Sequence, residues 1–376
     1  MKIAIDIRNI GKGRTGDEAV FFALVKNLAL IDANNIYHLL IDTRPRTEID
    51  TIATQLDIAQ KNNFKIVPLG SGNKFIWNAK TVARYCTREN IDIYHTQYII
   101  PFFLPRRTKI VTHIHDVSFK VYTDMVAKRD LFFLNKLIPR AVRQSDKIIA
   151  VSRFTKKEII KYYAVADEKI TVIHNATDLK PLLYDEKKLR KKYHLPQKYV
   201  LTMGTMQPRK NIPFLIEAFA RIAADVPDVS LVLAGKKGYN FDDKIAALQK
   251  KHPSLRTRII FTGYIDEVDK YAIYNMAKAF VFPSLYEGFG LPILEAFVAG
   301  VPVAASDIAP HREVGGDAVL YFDPQKIDQC TKVLYDVLVD DKIRKRVLAR
   351  AVHQREKFSW HISAKKLCAL YEELSS

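Results

Sequence analysis

Two glutamates, with seven residues between them, stand in the segment SLYEGFGLPILEAFVAGVP at residues 284–302. Glu287 lies with Gly288 and Gly290 in a loop that follows a predicted strand, and Glu295 lies early in the helix predicted next. Glycines let a backbone approach a ligand closely, amides at a helix start attract phosphate, and carboxylates accept hydrogen bonds from sugar hydroxyls. The segment therefore indicates a sugar-phosphate site. The open alternative is a strand–loop–helix with two surface glutamates.

A second segment, GTMQPRKN at residues 204–211, follows a predicted strand and precedes a helix predicted to begin near Ile212. Arg209 and Lys210 are placed there to bind a diphosphate through charge-assisted hydrogen bonds. Two adjacent cations at a helix start oppose the helix dipole, and this small cost indicates an anionic partner. The alternative is a basic surface loop.

Both segments belong to a regular alternation of strands and helices, which is typical of parallel α/β sheets. We predict strands at residues 2–6, 37–42, 64–69, 93–96, 109–115, 147–152 and 170–174, and again at 199–203, 230–234, 258–262, 279–283, 302–305 and 319–322. Residues 1–178 are then one Rossmann-like domain, 179–198 a linker with a short helix, and 199–356 a second Rossmann-like domain. Because ligands of such sheets bind beyond the carboxyl ends of the strands, two facing halves would enclose a cleft.

The composition is that of a globular chain and not of a disordered one, since 48% of the 376 residues are hydrophobic and 27% are charged. The three cysteines show neither metal-ligand nor disulfide spacing, which fits a reducing cytoplasm. No secretory signal and no apolar run of membrane-spanning length is predicted. The net charge of +18 favours an anionic partner: nucleotide phosphates, nucleic acid or an anionic membrane surface.

The second half of the chain closely resembles the retaining glycosyltransferases of family 4, or glycosyltransferase group 1, which include bacterial mannosyltransferases and sucrose synthase. The resemblance rests on motifs between residues 199 and 324, which are GTMQPRKN, LVLAG, FTGYI, EGFGLPILE, AGVPVAASDI and EVGGDAVLYFDP. It implies the α/β GT-B architecture, with two facing Rossmann-like domains and a cleft between them. It also implies that residues 357–376 form a helix that crosses back to the N-terminal domain, which would bind the acceptor.

The resemblance implies a role for each matching residue in the second half. Arg209 and Lys210 would bind the donor diphosphate, and Glu295 would bind the nucleotide ribose. Glu287 and the backbone at Phe289–Leu291 would contact the donor sugar and phosphates. The implied donor-binding set is Gly13, Arg14, Gly204, Arg209, Lys210, Glu287, Gly288, Phe289, Gly290, Leu291 and Glu295. The implied catalytic set is Glu287, His115, Arg209 and Lys210.

The first half matches the family more loosely. IDIRNIGKGRTG resembles the glycine loop that faces the donor phosphates, and His115 in VTHIHDVSF matches the family histidine beside the donor sugar. The chain departs from the family at Ala176, where glycine is usual, and at Lys12 and Arg14, which make the first loop basic. A lone histidine at a strand end is more often held by its neighbours, so that alternative stays open for His115.

The implied chemistry is departure of a nucleoside diphosphate, whose developing charge would be stabilised by Arg209, Lys210 and the helix amides. Glu287 and Glu295 lie on one loop–helix unit, so they do not form the facing acid–base pair of a glycosidase. By resemblance the anomeric configuration is retained, with the leaving phosphate helping to deprotonate the acceptor hydroxyl on the same face. No Asp-rich motif indicates a metal site, so we predict no metal and no cofactor.

We therefore predict a cytoplasmic hexosyltransferase that moves a hexose from a nucleotide-diphosphate sugar to a glycan or lipid-linked glycan. SLYEGFGLP and SDIAPHREV look most like bacterial mannosyl- and rhamnosyltransferases of polysaccharide assembly, which favours GDP-mannose. One alternative is a nucleotide-sugar epimerase of similar fold. Another is a basic membrane- or nucleic-acid-binding protein with a degenerate sugar site. Nucleic acid is disfavoured, because aromatic residues are not interleaved with the basic ones.

A helix predicted over residues 126–145 carries a basic stripe. At 100° per residue, four cations fall within about 60° of one another, and these are Arg129, Lys136, Arg140 and Arg143. Phe133 falls among them, whereas Leu131, Leu134, Ile138 and Ala141 face the sheet. A basic stripe with an aromatic residue predicts peripheral contact with the inner face of an anionic membrane, with YIIPFFLP at residues 98–105 lining the acceptor entrance. The alternative is an ordinary solvated face.

Overall fold

The computed structural model describes residues 1–13, 16–70, 73–123, 128–238, 245, 247–248 and 250–375. The chain divides into two compact units. Unit 1 comprises Met1–Ala176 and Phe358–Ser376, and unit 2 comprises Thr177–Lys357. Arg14 and the first residues of the predicted helix at 126–145 lie outside the described residues.

Unit 1 is built on a parallel sheet. Its strands are β1 (Lys2–Asp6), β2 (Ile36–Asp42), β3 (Phe64–Leu69), β4 (Ile93–Gln97), β5 (Lys109–Ile114), β6 (Lys147–Ala150) and β7 (Ile170–Val172). They are arranged in the order β3-β2-β1-β4-β5-β6-β7, and every neighbouring pair is parallel. The helices are α1 (Gly16–Ile31), α2 (Arg46–Gln55), α3 (Lys74–Ile76), α4 (Val82–Glu89), α5 (Ser118–Val121), α6 (Lys128–Gln144) and α7 (Arg153–Tyr163), with a π-helical turn at Trp77–Thr81.

Both faces of the unit 1 sheet are buried, as a parallel sheet requires. Successive side chains of β1 alternate between the faces. Ile3 and Ile5 pack in one core cluster with α1, and Ala4 packs in another with Trp77 and Tyr85. The final helix of the chain completes the first cluster, because its buried side chains recur every three or four residues and pack on α1. These side chains are Trp360, Ala364, Leu367, Leu370 and Tyr371.

Unit 2 repeats the same plan. Its strands are β8 (Lys198–Met203), β9 (Val229–Ala234), β10 (Ile259–Gly263), β11 (Ala279–Phe282), β12 (Val303–Ser306) and β13 (Val319–Phe322). Its helices are α8 (Glu186–Tyr193), α9 (Ile212–Ile222), α10 (Lys270–Asn275), α11 (Leu291–Val298), α12 (Ala309–Gly315), α13 (Ile327–Val339) and α14 (Asp341–Arg355), and α15 (Trp360–Ser375) returns to unit 1. No helix within the described residues is long and apolar enough to cross a membrane.

The strand order of unit 2 places the two sequence motifs side by side. The order is β10-β9-β8-β11-β12-β13, the Rossmann order, which reverses direction between β8 and β11. Ligands of such sheets bind at this switch point, beyond the carboxyl ends of the strands. The segment 204–211 follows β8, and the segment 284–290 follows β11. The predicted fold class of Rossmann-like α/β domains is confirmed, and the fold brings both motifs to the position expected for a ligand.

The backbone beyond β8 and β9 is packed tightly enough to require glycine. Gly204 and Gly235 have positive φ angles of 140° and 136°. A Cβ added to Gly235 would lie 2.0 Å from the carbonyl oxygen of Gly204. A Cβ on Gly204 would lie 3.8 Å from the Lys210 ammonium. At Gly204 it is therefore the positive φ, and not crowding, that favours glycine.

Candidate active site

A buried carboxylate joins the two motifs of unit 2. The Glu287 carboxylate accepts a hydrogen bond from Lys210 Nζ at 2.6 Å and pairs with Arg209 Nη1 at 2.9 Å. The backbones are joined as well, because Leu285 N–H donates to the Arg209 carbonyl and Arg209 Nη1 donates to the Tyr286 carbonyl. The structure therefore brings Arg209, Lys210 and Glu287 together, although more than seventy residues separate them along the chain.

The two cations of this cluster stabilise the negative charge of Glu287. Burial would raise the pKa of Glu287, but the opposing charges of Arg209 and Lys210 outweigh it and hold that pKa at about 2. Glu287 therefore remains a carboxylate at any working pH. The Lys210 ammonium also lies 4.7 Å from the centre of the Phe282 ring, in a cation–π contact. Together these contacts preset the position of the lysine.

Helix α11 begins immediately after this cluster. Gly290 precedes it with a φ of 120°, and Pro292 occupies its first turn, where a missing N–H removes no helical hydrogen bond. The positive end of the helix dipole thus points toward the loop that carries Glu287. Gly288, Phe289 and Gly290 are buried within this loop. An anion bound there would meet the helix start and the two cations together.

Glu295, one turn into α11, is held by two residues of α10. Lys270 Nζ donates to one of its carboxylate oxygens at 3.2 Å, and the Tyr274 hydroxyl donates to the other at 2.8 Å. Lys270 also pairs with Glu267 at 2.9 Å. Burial alone would lower the pKa of Lys270, but Glu295 and Glu267 outweigh it and raise that pKa. Lys270 and Tyr274 therefore fix the orientation of Glu295, a role that the sequence motif did not reveal.

His311 is a second residue that the sequence analysis missed. Its ring stacks on Phe282 at 4.7 Å, and its Nδ1–H donates to the Ser306 carbonyl at 3.0 Å. Burial lowers the pKa of His311 to about 4, against the opposing charge of Glu287. The neutral ring thus supports Phe282, which in turn supports Lys210. Only its place in SDIAPHREV, directly after β12, could have pointed to it.

In unit 1, the fold places His115 just beyond β5 among other histidines. Its Nε2 lies 3.0 Å from the Gln97 amide oxygen, and its Nδ1 lies 3.8 Å from a carboxylate oxygen of Asp17 at the start of α1. Its ring stacks on His113 at 4.6 Å. Gln97, Asp17 and His113 thus surround the ring and hold its orientation.

The first loop of unit 1 is partly described. Gly13 is exposed and has a φ of 102°, which favours glycine. Lys12 pairs with Asp42 at 2.9 Å, so one of the two basic residues of this loop is engaged within unit 1. Ala176, which replaces a usual glycine, is buried in the unit 1 core and has no positive φ.

Comparison with known proteins identifies the family. Residues 185–354 match the model described as glycosyl transferases group 1, and residues 37–180 match that of glycosyltransferase family 4. Over 265 residues the chain is 34% identical to the O-antigen chain mannosyltransferase B of Escherichia coli, covering 69% of each protein. The chain belongs to glycosyltransferase family 4. This is the family that the sequence predicted, a family of hexose-transferring enzymes.

The relatives differ in how much of their own length this chain matches. The serotype-specific mannosyltransferase WbdA of E. coli is 34% identical over 235 residues, which is 61% of this chain. The same residues are 29% of WbdA, so the chain spans less than a third of that relative. The similarity therefore concerns only one part of WbdA, which is the longer protein.

Solved structures show the same fold for this family 4 chain. A sucrose-phosphate synthase from Thermosynechococcus elongatus has a TM-score of 0.76 at 19% identity, with 99% of this chain and 98% of that one covered. Anabaena HepE in complex with UDP and glucose has a TM-score of 0.73 at 18% identity, covering 99% and 100%. Both likenesses confirm the GT-B fold class.

The described residues of this glycosyltransferase contain no group of three or more His, Cys, Asp or Glu side chains that could hold a metal ion. Side chains of both signs gather at the switch point of unit 2. Arg209, Lys210 and Lys270 supply the positive charge, and Glu287 and Glu295 are the carboxylates that they hold.

Proposed function

We propose that this enzyme transfers mannose from GDP-mannose to a glycan, with retention of the anomeric configuration. The observation that carries the proposal is the buried cluster of Arg209, Lys210 and Glu287 at the switch point of unit 2. Two cations there suit a diphosphate, and the carboxylate between them suits sugar hydroxyls. Mannose is supported by the two mannosyltransferases of E. coli that share 34% identity with the chain.

In this proposal the departing GDP is stabilised electrostatically. Arg209 and Lys210 exchange part of their contact with Glu287 for the diphosphate oxygens, and the start of α11 adds its dipole. Glu287 accepts hydrogen bonds from the sugar, and Glu295 accepts them from the ribose. The leaving phosphate takes the proton of the acceptor hydroxyl on the same face, so no side chain acts as a separate base. No metal and no cofactor takes part.

Unit 1 contributes the remaining proposed contacts. By the family resemblance, Gly13 and Arg14 would bind the donor phosphates and His115 would contact the donor sugar. The pairing of His115 with Gln97 supports this role, because it fixes the ring orientation that a sugar contact needs. The acceptor is a lipid-linked glycan, and the enzyme works at the inner face of the membrane.

The base of the donor is tested by thermal unfolding with GDP, UDP, ADP and dTDP and their sugars. We expect GDP-mannose to stabilise the protein most. Ligand at about 100 times its Kd adds roughly 2.7 kcal/mol to the free energy of unfolding, which shifts Tm by several degrees. A larger shift with UDP or dTDP compounds would reject GDP-mannose while keeping a diphosphate site. A Tm that stays at the ligand-free value with every compound would reject the donor site itself.

A further inference from the structure

Three segments of unit 1 expose large apolar side chains. They are α3, the loop at residues 98–105 and the amino-terminal half of α6. The exposed residues are Phe103 (73%), Phe132 (60%), Ile76 (51%), Phe75 (48%) and Phe102 (39%). We refer to these five residues, four phenylalanines and one isoleucine, as the aromatic patch. Single exposed apolar residues are ordinary on a protein surface, but a cluster of this kind marks a binding surface.

Direct contacts tie the three segments together. The Phe75 ring lies 5.9 Å from that of Phe133 on α6, and Phe133 lies 5.8 Å from Phe132. Phe102 N–H donates to the Asn78 carbonyl of the π-helical turn that follows α3. The three segments therefore contact one another, and the patch lies on one continuous part of the surface.

Arg140 holds the loop against α6. Its guanidinium donates to the carbonyls of Ile100 and Pro101 at 3.0 and 2.9 Å and covers the Phe102 ring at 4.6 Å. Of the four cations of the predicted stripe, Arg140 is therefore engaged by the carbonyls of this loop. Phe133, which the prediction placed among these cations, is half-buried and packs on Phe75, whereas Phe132 is exposed.

The other three cations of the stripe are exposed beside the patch. Arg129, Lys136 and Arg143 are exposed on α6. At 100° per residue, all three and Phe132 fall within about 60° of one another. Their neighbours on the opposite side, among them Ile138 and Ala141, are buried against the sheet as predicted. The solvent side of α6 thus presents an aromatic ring among positive charges.

We propose that the aromatic patch and these three cations dock unit 1 onto an anionic lipid surface. Large apolar side chains insert at the boundary of headgroups and acyl chains, and cations beside them pair with anionic headgroups. Positive charge around an apolar patch is complementary to such a surface, and it would oppose contact with a second copy of this basic chain. The docking deepens the proposed function, because it brings a lipid-linked acceptor to unit 1, but it needs no donor.

The test is sedimentation of the full chain with phosphatidylcholine vesicles, with and without phosphatidylglycerol, at low and moderate salt. We expect binding to the anionic vesicles only, weakened by salt. Replacing Arg129, Lys136 and Arg143 by Glu should lower the partition coefficient at least about tenfold. Changing Phe103 and Phe132 to Ser should lower it at both salt concentrations, because insertion is lost.

Two controls match these variants. The combined changes Lys342→Glu, Lys345→Glu and Arg346→Glu alter the charge by the same amount on α14 of unit 2. The changes Leu183→Ser and Val268→Ser remove exposed apolar residues elsewhere. Both controls should bind as the wild type does. A Phe103→Trp variant should show a blue-shifted fluorescence with anionic vesicles, since Trp77 and Trp360 are buried.

Failure of vesicle binding and failure of sugar transfer are separate results. Wild type that ignores anionic lipid, or controls that lose binding as fully as the patch variants, would overturn the docking proposal. Self-association that the Phe103 and Phe132 changes abolish, without lipid binding, would also overturn it. Vesicle binding in a protein that shows no mannosyl transfer would leave docking intact and reject the proposed function.

Discussion

Replacing Lys210 by alanine is expected to lower kcat/KM for the nucleotide sugar by roughly ten- to a hundredfold, because a charge-assisted hydrogen bond contributes about 1.5–3 kcal/mol. Glu287 on one side and the Phe282 ring on another hold the Lys210 ammonium in place, where it is proposed to bind the diphosphate. The substitution removes the ammonium and leaves a buried carboxylate with less compensation. The measurement is initial-rate kinetics of GDP release with a lipid-linked glycan acceptor.

Lys278→Ala is the matched control for this variant. Lys278 is an exposed lysine of unit 2, placed directly before β11 and away from the cluster. Its replacement should leave kcat/KM and the thermal midpoint unchanged. Turnover at the wild-type rate in Lys210→Ala would remove Lys210 from the donor site, provided that the protein unfolds at a normal temperature.

The second large effect is a kinetic split between the two glutamates. Glu287→Gln keeps the shape of the side chain but removes the charge between Arg209 and Lys210, so kcat should fall by roughly ten- to a hundredfold while the Kd for GDP changes little. Glu295→Gln should instead raise KM and the Kd for GDP, because the proposed ribose contact is weakened. Kinetics and GDP titration on the same preparations measure both quantities.

Glu267→Gln is the control for Glu295, since Glu267 pairs with the same Lys270 but is more exposed. It should leave both the Kd and kcat close to the wild-type values. Unchanged kinetics in both Glu287→Gln and Glu295→Gln would show that the glutamate motif is structural in this enzyme. A split in the opposite sense would exchange the two assigned roles.

The sequence predicted the secondary structure around the candidate site well, because short patterns encode it. A strand, a glycine-bearing loop and a helix follow one another within the segments around Lys210 and Glu287, and each step has its own residue preference. The Rossmann strand order then brings the two segments together at β8 and β11. For this reason the sequence could predict that the two segments form one site. It could not predict the direct ion pair between Lys210 and Glu287.

Residues that act from neighbouring helices left no such pattern. Lys270 and Tyr274 contact Glu295 only because α10 packs beside α11, and nothing in their own segment distinguishes them from other surface residues. His311 reaches the site by stacking on Phe282. Side chains of this kind depend on the packing of elements, which single-sequence patterns do not specify.

The basic stripe of α6 shows a second limit of prediction from a single sequence. Helical spacing correctly gave the direction in which Arg129, Lys136 and Arg143 point. It could not show that the loop after β4 approaches the helix and occupies Arg140 through its carbonyls. Periodicity therefore predicts which face of a helix is polar, and tertiary contacts decide which members of that face remain available to a partner.

The most direct test of the proposed donor site is calorimetric titration of GDP-mannose into wild type and Lys210→Ala with EDTA present throughout. The site formed by Arg209, Lys210 and Glu287 predicts saturable one-site binding to the wild type without metal. It also predicts a Kd that is roughly ten- to a hundredfold higher in the variant. Wild-type binding that appears only when magnesium or manganese replaces EDTA, or equal Kd values for the two proteins, would contradict it.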